Sequence, residues 1–137
     1  MLFKNVSIAG LAHVDAPHTL TSQEINQRLK PTLDRLGIRV DVLGDIAGIH
    51  ARRMWDEDVQ ASDAATLAAR KALDDAGIDV GRVGLLVNTS VSRDFLEPST
   101  ASIVSGNLGV SDECMTFDVA NACLAFINGM DIAARML

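Results

Sequence analysis

Hydrophobic and polar positions along the chain follow two different periods, which predict alternating strands and helices. Apolar or β-branched runs at residues 3–13, 83–91 and 115–120 are typical of strands, and the run at 83–91 is typical of a strand buried on both faces. Apolar residues recur at helical spacing in four segments: 19–29, 61–76, 99–109 and 123–137. This alternation predicts a layered α/β fold with a mixed, mostly parallel sheet and helices on both faces.

Capping residues and glycines mark the ends of the predicted helices. Thr21 or Ser22 is placed to begin the first helix, with Glu24 in its first turn, and Gly37 is placed to end it. Pro31 lies inside this segment. It predicts a kink or the start of a second short helix, because proline lacks the N–H of a helical hydrogen bond.

The middle of the chain divides into a loop and a helix. The stretch at 37–55 mixes glycine, aspartate and β-branched residues, which predicts an irregular loop with a short extended piece near 49–54. Ser62 or Asp63 can cap the next helix, which should end at Gly77. The many alanines of this helix predict close packing against a flat neighbour.

Composition narrows the class of protein. The chain has 137 residues, 48% of them hydrophobic, which is enough for one domain with a core. Its net charge is −6 and it has no basic patch, which argues against nucleic acid and anionic membrane surfaces as partners. No apolar run approaches the ~20 residues of a membrane span. Polar residues interrupt the N-terminal apolar run, so we interpret it as a buried strand rather than an export signal, and expect a cytoplasmic location.

Cys123 is the first candidate for chemistry. The pattern MTFDVA-NA-CLAFINGM places it just beyond a strand, in the first turn of a helix. Helix N-termini carry about half a positive charge and unpaired N–H groups, which favour a thiolate and can hold an oxyanion. The alternative is a small buried core residue, a common role of cysteine. The spacing alone leaves both interpretations open.

Glu97 is the second candidate. It lies in NTSVSRDFLEPSTAS, between a buried strand and a helix, and such loops at the carboxyl ends of parallel strands bind ligands in α/β proteins. Cys123 follows the next strand, so both residues could open onto the same face of the sheet. A carboxylate there could act as a general base, and the alternative is a solvated loop residue.

The other reactive residue types predict no second site. His13, His18 and His50 lack the spacing of a metal site, and we interpret them as surface or packing residues. We interpret Cys114 as structural, and the two cysteines lack the spacing of a disulfide framework.

The segments STASIVSGNLG and FDVANACLAFINGMDIA together resemble the thiolase superfamily, near its 3-oxoacyl-ACP synthase III branch. The resemblance covers the whole chain and is greatest to the olefin-forming acyl-CoA condensing enzymes. It implies a head-to-head, non-decarboxylative Claisen condensation of two fatty acyl-CoA molecules to a β-keto acid. Acyl-CoA would be the substrate, and no cofactor is implied.

The resemblance also implies roles for the two candidate residues. Cys123 matches the acylated nucleophile. Glu97 matches a glutamate that, in a homodimer, reaches the active site of the neighbouring subunit and removes the α-proton of the second acyl thioester. Such a base is needed because a fatty acyl thioester, unlike a malonyl thioester, cannot form the carbanion by losing carbon dioxide.

The resemblance further implies an N-terminal half-module, residues 1–137, whose complementary C-terminal half supplies a His and an Asn. We expect the C-terminal half to be a partner of this chain, because a half-module alone would expose apolar surface to water. Synthase III enzymes present Trp and Arg to the coenzyme where this chain has Val42 and Ile46, so no coenzyme-binding residue is assigned. The alternative functions are a decarboxylative 3-oxoacyl-ACP synthase III and a non-catalytic structural half.

Overall fold

The computed structural model describes residues 3–38 and 41–137, which divide into two compact units. The smaller unit is Asp15–Asp58. The larger unit comprises the residues up to Val14 together with Val59–Leu137.

The smaller unit pairs two short strands and a helix. Strand β1 (His18–Thr21) runs antiparallel to β2 (Ala51–Met54), and helix α1 (Ser22–Arg35) follows β1 directly. Thr21 caps α1: its Oγ1 accepts from the N–H of Glu24 at 3.1 Å, and the Glu24 carboxylate accepts from the N–H of Thr21 at 2.8 Å. The predicted start of this helix is thereby confirmed.

Two predictions in this unit need correction. Strand β1 lies where the sequence predicted only a turn and the beginning of a helix. Its partner, β2, is the extended piece that the sequence did predict. Helix α1 continues through Pro31 to Arg35, so no second helix begins at the proline. Gly37 follows the helix with a φ of +69°, as its predicted role requires, and a π-helical turn at Val42–Ile46 occupies the irregular loop. Part of that loop, residues 39 and 40, lies outside the described residues.

The larger unit contains a strand–helix–strand crossover. Strand β3 (Leu85–Asn88) and strand β4 (Met115–Asp118) are parallel and in register from Leu85 opposite Met115 to Asn88 opposite Asp118. Helix α3 (Thr100–Leu108) connects them, helix α2 (Ala61–Ala76) precedes them, and helix α4 (Ala125–Met136) follows. The predicted α/β alternation and parallel pairing are confirmed.

The core of this unit lies around α3. Ala101, Val104 and Leu108 are buried on one side of α3, and Ala125 of α4 is also buried. Helix α3 contacts α2, where the Asn107 side-chain amide donates to the hydroxyl of Thr66 at 3.3 Å. Helix α2 therefore packs against a helix rather than against the flat neighbour that its alanines predicted, and several of those alanines line an open cavity instead.

Residues 3–13 do not form the predicted strand. The described part of this segment is irregular and exposed over most of its length, and it passes close to α2: a Cβ built on Gly10 would lie 2.8 Å from the carbonyl oxygen of Ala72. A strand requires a backbone partner, whereas this segment contacts a helix surface. The strand predicted at 83–91 is also shorter than expected, and β3 is half-buried rather than buried on both faces.

Ser62 and Asp63 do not occupy the predicted N-cap position of α2, which belongs to Gln60. The Asp63 carboxylate instead accepts from the N–H of Gln60 at 3.0 Å, one turn back. The predicted end is confirmed, since Gly77 has a φ of +63° that favours glycine.

Candidate active site

The two candidate residues lie on connections that leave the same edge of the parallel pair. Glu97 lies between β3 and α3, and Cys123 lies between β4 and α4. The pairing continues past the strand ends, because the N–H of Val119 donates to the carbonyl oxygen of Asn88 at 2.9 Å. The prediction that both residues follow the carboxyl ends of neighbouring strands is confirmed.

Cys123 lies in a tight turn in front of α4. A 3₁₀ turn spans Ala122–Leu124 and is closed by the N–H of Leu124, which donates to the carbonyl oxygen of Asn121 at 3.0 Å. The thiol is therefore two residues before the α-helix rather than within its first α-helical turn. Cys123 is exposed, so the described residues of this chain do not bury it.

The backbone beside Cys123 is in a conformation that the sequence did not predict. Ala122 has a φ of +43°, which costs a residue with a Cβ free energy on the order of 1–2 kcal/mol. A side-chain hydrogen bond from Asn121 Nδ2 to Asn128 Oδ1, at 2.6 Å, spans this turn. Alanine gives no sequence signal for a positive φ, so pattern analysis had no means of finding this feature.

The start of α4 has no side-chain cap, because Leu124 makes no side-chain hydrogen bond to the first turn. The N–H of Ala125 is bonded within the preceding turn, to the carbonyl oxygen of Ala122. The partial positive charge of the helix N-terminus is what this end offers to a developing oxyanion next to Cys123.

Glu97 is exposed, and no hydrogen bond or ion pair of its carboxylate occurs within residues 3–38 and 41–137. The structure therefore places Glu97 and Cys123 at one edge of the sheet without a direct contact between them. An exposed, uncompensated carboxylate is free to accept a proton from a bound molecule.

Asp118 is a site-forming residue that sequence analysis missed. At the end of β4, its two carboxylate oxygens accept from the backbone N–H groups of Thr100 at 3.0 Å and Ala101 at 2.8 Å. Since these donors begin α3, Asp118 links the connection of Glu97 to the strand that leads to Cys123. The only signal in the sequence was an acidic residue at a strand end, which is common on protein surfaces.

The three histidines are exposed, and the second cysteine, Cys114, is partly buried. His18 Nε2 is 2.7 Å from a carboxylate oxygen of the exposed Asp56, in the smaller unit. Among the described residues no cluster of His, Cys, Asp and Glu could hold a metal ion. Cys114 is half-buried, and this burial raises the pKa of its thiol.

No helix in the described ranges has both the length and the apolar character to cross a membrane.

An apolar cavity of about 560 Å³ opens in the larger unit. Alanines of α2 form one wall, and Leu86 and Val87 of β3 form another. Phe126 of α4 and Asn88 at the end of β3 also line it, so the cavity reaches the edge from which the Cys123 connection leaves.

Comparison with known proteins finds relatives that match the whole chain. The chain is 84% identical over 137 residues to a protein of Xanthomonas campestris pv. campestris named acyl-CoA:acyl-CoA alkyltransferase, and the match covers 100% of this chain and 40% of that protein. The crystal structure of cerulenin-bound Xanthomonas campestris OleA matches 100% of the chain at 84% identity, with a TM-score of 0.93. The chain is therefore similar to OleA in sequence and in fold over its whole length.

The chain is also similar in fold to a second solved structure. The structure described as 3-oxoacyl-(acyl carrier protein) synthase III, FabH, from Xanthomonas oryzae pv. oryzae matches 100% of the chain at 85% identity, with a TM-score of 0.93. The predicted resemblance to the synthase III branch is thereby confirmed. The chain spans about 40% of the length of each of these relatives. No protein-family profile matches it.

Proposed function

We propose that this chain is the Cys-bearing part of an OleA-type enzyme that condenses two fatty acyl-CoA molecules head to head, without decarboxylation, to a β-keto acid. The observation that carries the proposal is the identity over the whole chain to an acyl-CoA:acyl-CoA alkyltransferase. The placement of Glu97 and Cys123 on connections from one sheet edge supports it.

Cys123 performs the first half of the proposed reaction. Its thiolate attacks the carbonyl carbon of an acyl-CoA, and the C–S bond to CoA breaks, which leaves an acyl thioester on Cys123 and free CoA. The tetrahedral intermediate carries a negative oxygen, which the partial positive charge at the start of α4 stabilises. The exposure of Cys123 allows the acyl-CoA to approach it.

Glu97 performs the second half. Its carboxylate removes a proton from the α-carbon of the second acyl-CoA, and the carbanion attacks the acyl carbonyl on Cys123. A C–C bond forms while the C–S bond to Cys123 breaks, giving a β-keto acyl-CoA and a free thiolate. Water then hydrolyses this thioester to the β-keto acid and CoA. Glu97 acts in the site of the partner subunit of a homodimer.

The remainder of the enzyme completes the site. Three large apolar side chains are exposed beside the nucleophile: Leu124 (61% exposed) in the turn before α4, and Phe126 (57%) and Ile127 (60%) in the first turn of α4. Such a patch is costly in water. In the proposed enzyme a complementary half covers it and contributes the His and the Asn that polarise the thioester carbonyl. The enzyme is cytoplasmic, takes acyl-CoA as its substrate and needs no cofactor.

Labelled acyl-CoA supplied to the complete enzyme without a malonyl donor tests the proposal. We expect labelled β-keto acid, or the ketone that forms from it by loss of carbon dioxide. A complete, folded enzyme that forms product only after malonyl thioester is added contradicts non-decarboxylative condensation.

The role of Glu97 is tested by Glu97→Gln. Glutamine keeps the shape of the side chain but cannot take a proton, so condensation should fall by about 100-fold or more while acylation of Cys123 continues. Glu113→Gln is the matched control, because Glu113 is another exposed glutamate of the same unit. If acylation falls as far as condensation in Glu97→Gln, the base assignment is wrong.

A decarboxylative 3-oxoacyl-ACP synthase III is the second candidate. The description of the Xanthomonas oryzae structure as FabH, at 85% identity, favours it. The malonyl-dependent outcome of the labelling experiment would support this candidate, and in that case Glu97→Gln should retain most of its activity.

A further inference from the structure

Asp118 fastens the start of α3 to the end of β4. Its carboxylate accepts hydrogen bonds from the N–H groups of Thr100 and Ala101. These two residues are 1% and 0% exposed. Asp118 itself is exposed, but the residues that carry the two donors are not, so loss of the carboxylate removes the protein partner of both N–H groups. A negative group at this position also interacts favourably with the positive end of α3.

The strand that leads to Cys123 does not depend on this contact. Asp118 lies opposite Asn88 in the parallel ladder, and the next residue, Val119, donates its N–H to the carbonyl oxygen of Asn88. Loss of the Asp118 carboxylate should therefore release the start of α3 and the connection before it, while β4 stays paired with β3.

The connection that carries Glu97 has a second anchor at Asp94. The Asp94 carboxylate accepts from the N–H of Ser62 at 3.1 Å, at the start of α2, and Ser62 is 2% exposed. Glu97 lies between this anchor and Thr100. Since no described hydrogen bond fixes the Glu97 carboxylate itself, its position depends on the two anchored ends of its connection.

From this arrangement we infer that Asp118 is a positioning residue for Glu97, with Asp94 as the second anchor of the same connection. The inference rests on the proposed function, because it matters only if Glu97 acts on a substrate. Asp118 touches no reacting atom in this role. It limits how far Glu97 can move from the α-proton, and a displacement of about 1 Å can lower a rate by ~100-fold.

Asp118→Asn in the complete enzyme tests this role. Asparagine has a similar shape but keeps only one acceptor oxygen, so at most one of the two buried N–H groups stays paired. We expect single-turnover condensation to fall by about 10-fold to 100-fold, while acylation of Cys123, followed by intact mass, changes by less than about 3-fold. Amide hydrogen exchange should accelerate at Thr100, at Ala101 and along residues 89–99.

Ser99→Ala is the matched control on the same helix. The Ser99 hydroxyl accepts from the N–H of Ser102 at 3.2 Å and also bonds the Ser102 hydroxyl, which lies 3.2 Å from Thr116 Oγ1 of β4. Ser99→Ala therefore removes a cap of α3 but keeps the direct bonds from Asp118 to Thr100 and Ala101. We expect this variant to lose stability but to keep the wild-type ratio of condensation to acylation. Asp94→Ala removes the acceptor of the other anchor and should lower that ratio, as Asp118→Asn does, so it takes the place of Asp118→Asn if that variant does not fold.

The outcomes separate this inference from the proposed function. A wild-type enzyme that forms no condensation product contradicts the proposed function and the role of Asp118 with it. A wild type that condenses acyl-CoA, together with an unchanged ratio in Asp118→Asn or Asp94→Ala, contradicts the positioning role alone. An equal loss of the ratio in Ser99→Ala also overturns it, since any weakening of the α3 start would then suffice.

Discussion

Gly129 of α4 lies so close to Thr89 that a Cβ built on the glycine would be 2.5 Å from the Thr89 methyl carbon. No ordinary Cβ makes a contact this short, so the glycine sets how closely α4 approaches the end of β3. Gly129 is buried, and it lies six residues after Cys123. The position of α4, the helix that follows the nucleophile, therefore depends on the absence of a side chain at Gly129.

Gly129→Ala should lower the free energy of unfolding of the complete enzyme by about 1–3 kcal/mol, because overpacking forces neighbours to shift. Urea denaturation measures the change. Thr89→Ser removes the opposing methyl group and should recover most of the loss in the double variant. Gly106→Ala is the control: it lies in α3 with nothing within 4 Å of the added Cβ, and should be neutral or stabilising by about 0.5–1 kcal/mol. Equal destabilisation by both alanines would contradict a steric origin.

Ala122→Val should destabilise the turn of Cys123. With a φ of +43°, Ala122 is already strained, and a β-branched side chain tolerates this conformation least. We expect a loss of about 1–3 kcal/mol in urea denaturation and slower acylation of Cys123. Ala122→Gly should be tolerated. Ala120→Val, in the same connection and also exposed, is the control without a positive φ. Similar losses from Ala120→Val and Ala122→Val would show that the backbone conformation is not the cause.

Local signals in the sequence predicted the parts of the fold that depend on local chemistry. Thr21 and Glu24 cap α1, and Gly77 and Gly109 end their helices with positive φ. The order of the elements and the parallel pairing followed from the apolar periods. The strand predicted at 3–13 is wrong because strand formation depends on a partner that hydropathy does not specify.

The residues of the candidate site also separate into those that the sequence could predict and those that it could not. Cys123 and Glu97 could be proposed from the sequence because each lies after an apolar run, at the position where α/β folds bind ligands. Asp118 was missed because its importance comes from two N–H groups 17 and 18 residues away in sequence. Ala122 was missed because its φ is imposed by the turn, not by its side chain.

Stability of the smaller unit should depend on the ionisation of Glu24. Hydrogen bonds from the Thr21 side chain, at 2.6 Å, and from its N–H lower the pKa of this carboxyl below its ordinary 4.5. A lowered folded-state pKa adds stability that is present above pH 4.5 and is lost as the pH falls through the folded pKa. Glu24→Gln should therefore be less stable than wild type near pH 7, and the difference should shrink below pH 4.5. Thermal unfolding midpoints across this range measure it, and a difference that grows on acidification would contradict the sign.

The two thiols should differ in reactivity in the folded enzyme. Cys123 is exposed in front of a helix N-terminus, whereas Cys114 is half-buried and burial raises the pKa of its thiol, which lowers its thiolate fraction at any given pH. With limiting iodoacetamide near neutral pH, mass mapping should find the label on Cys123 first. Labelling of Cys114 should lag. It should rise only at a pH higher than the pH at which a free cysteine is labelled. Cys114→Ser should leave the rate at Cys123 unchanged, and Cys123→Ser should abolish the fast phase. If folded Cys123 reacts no faster than a cysteine in an unfolded peptide, the proposed activated nucleophile is wrong.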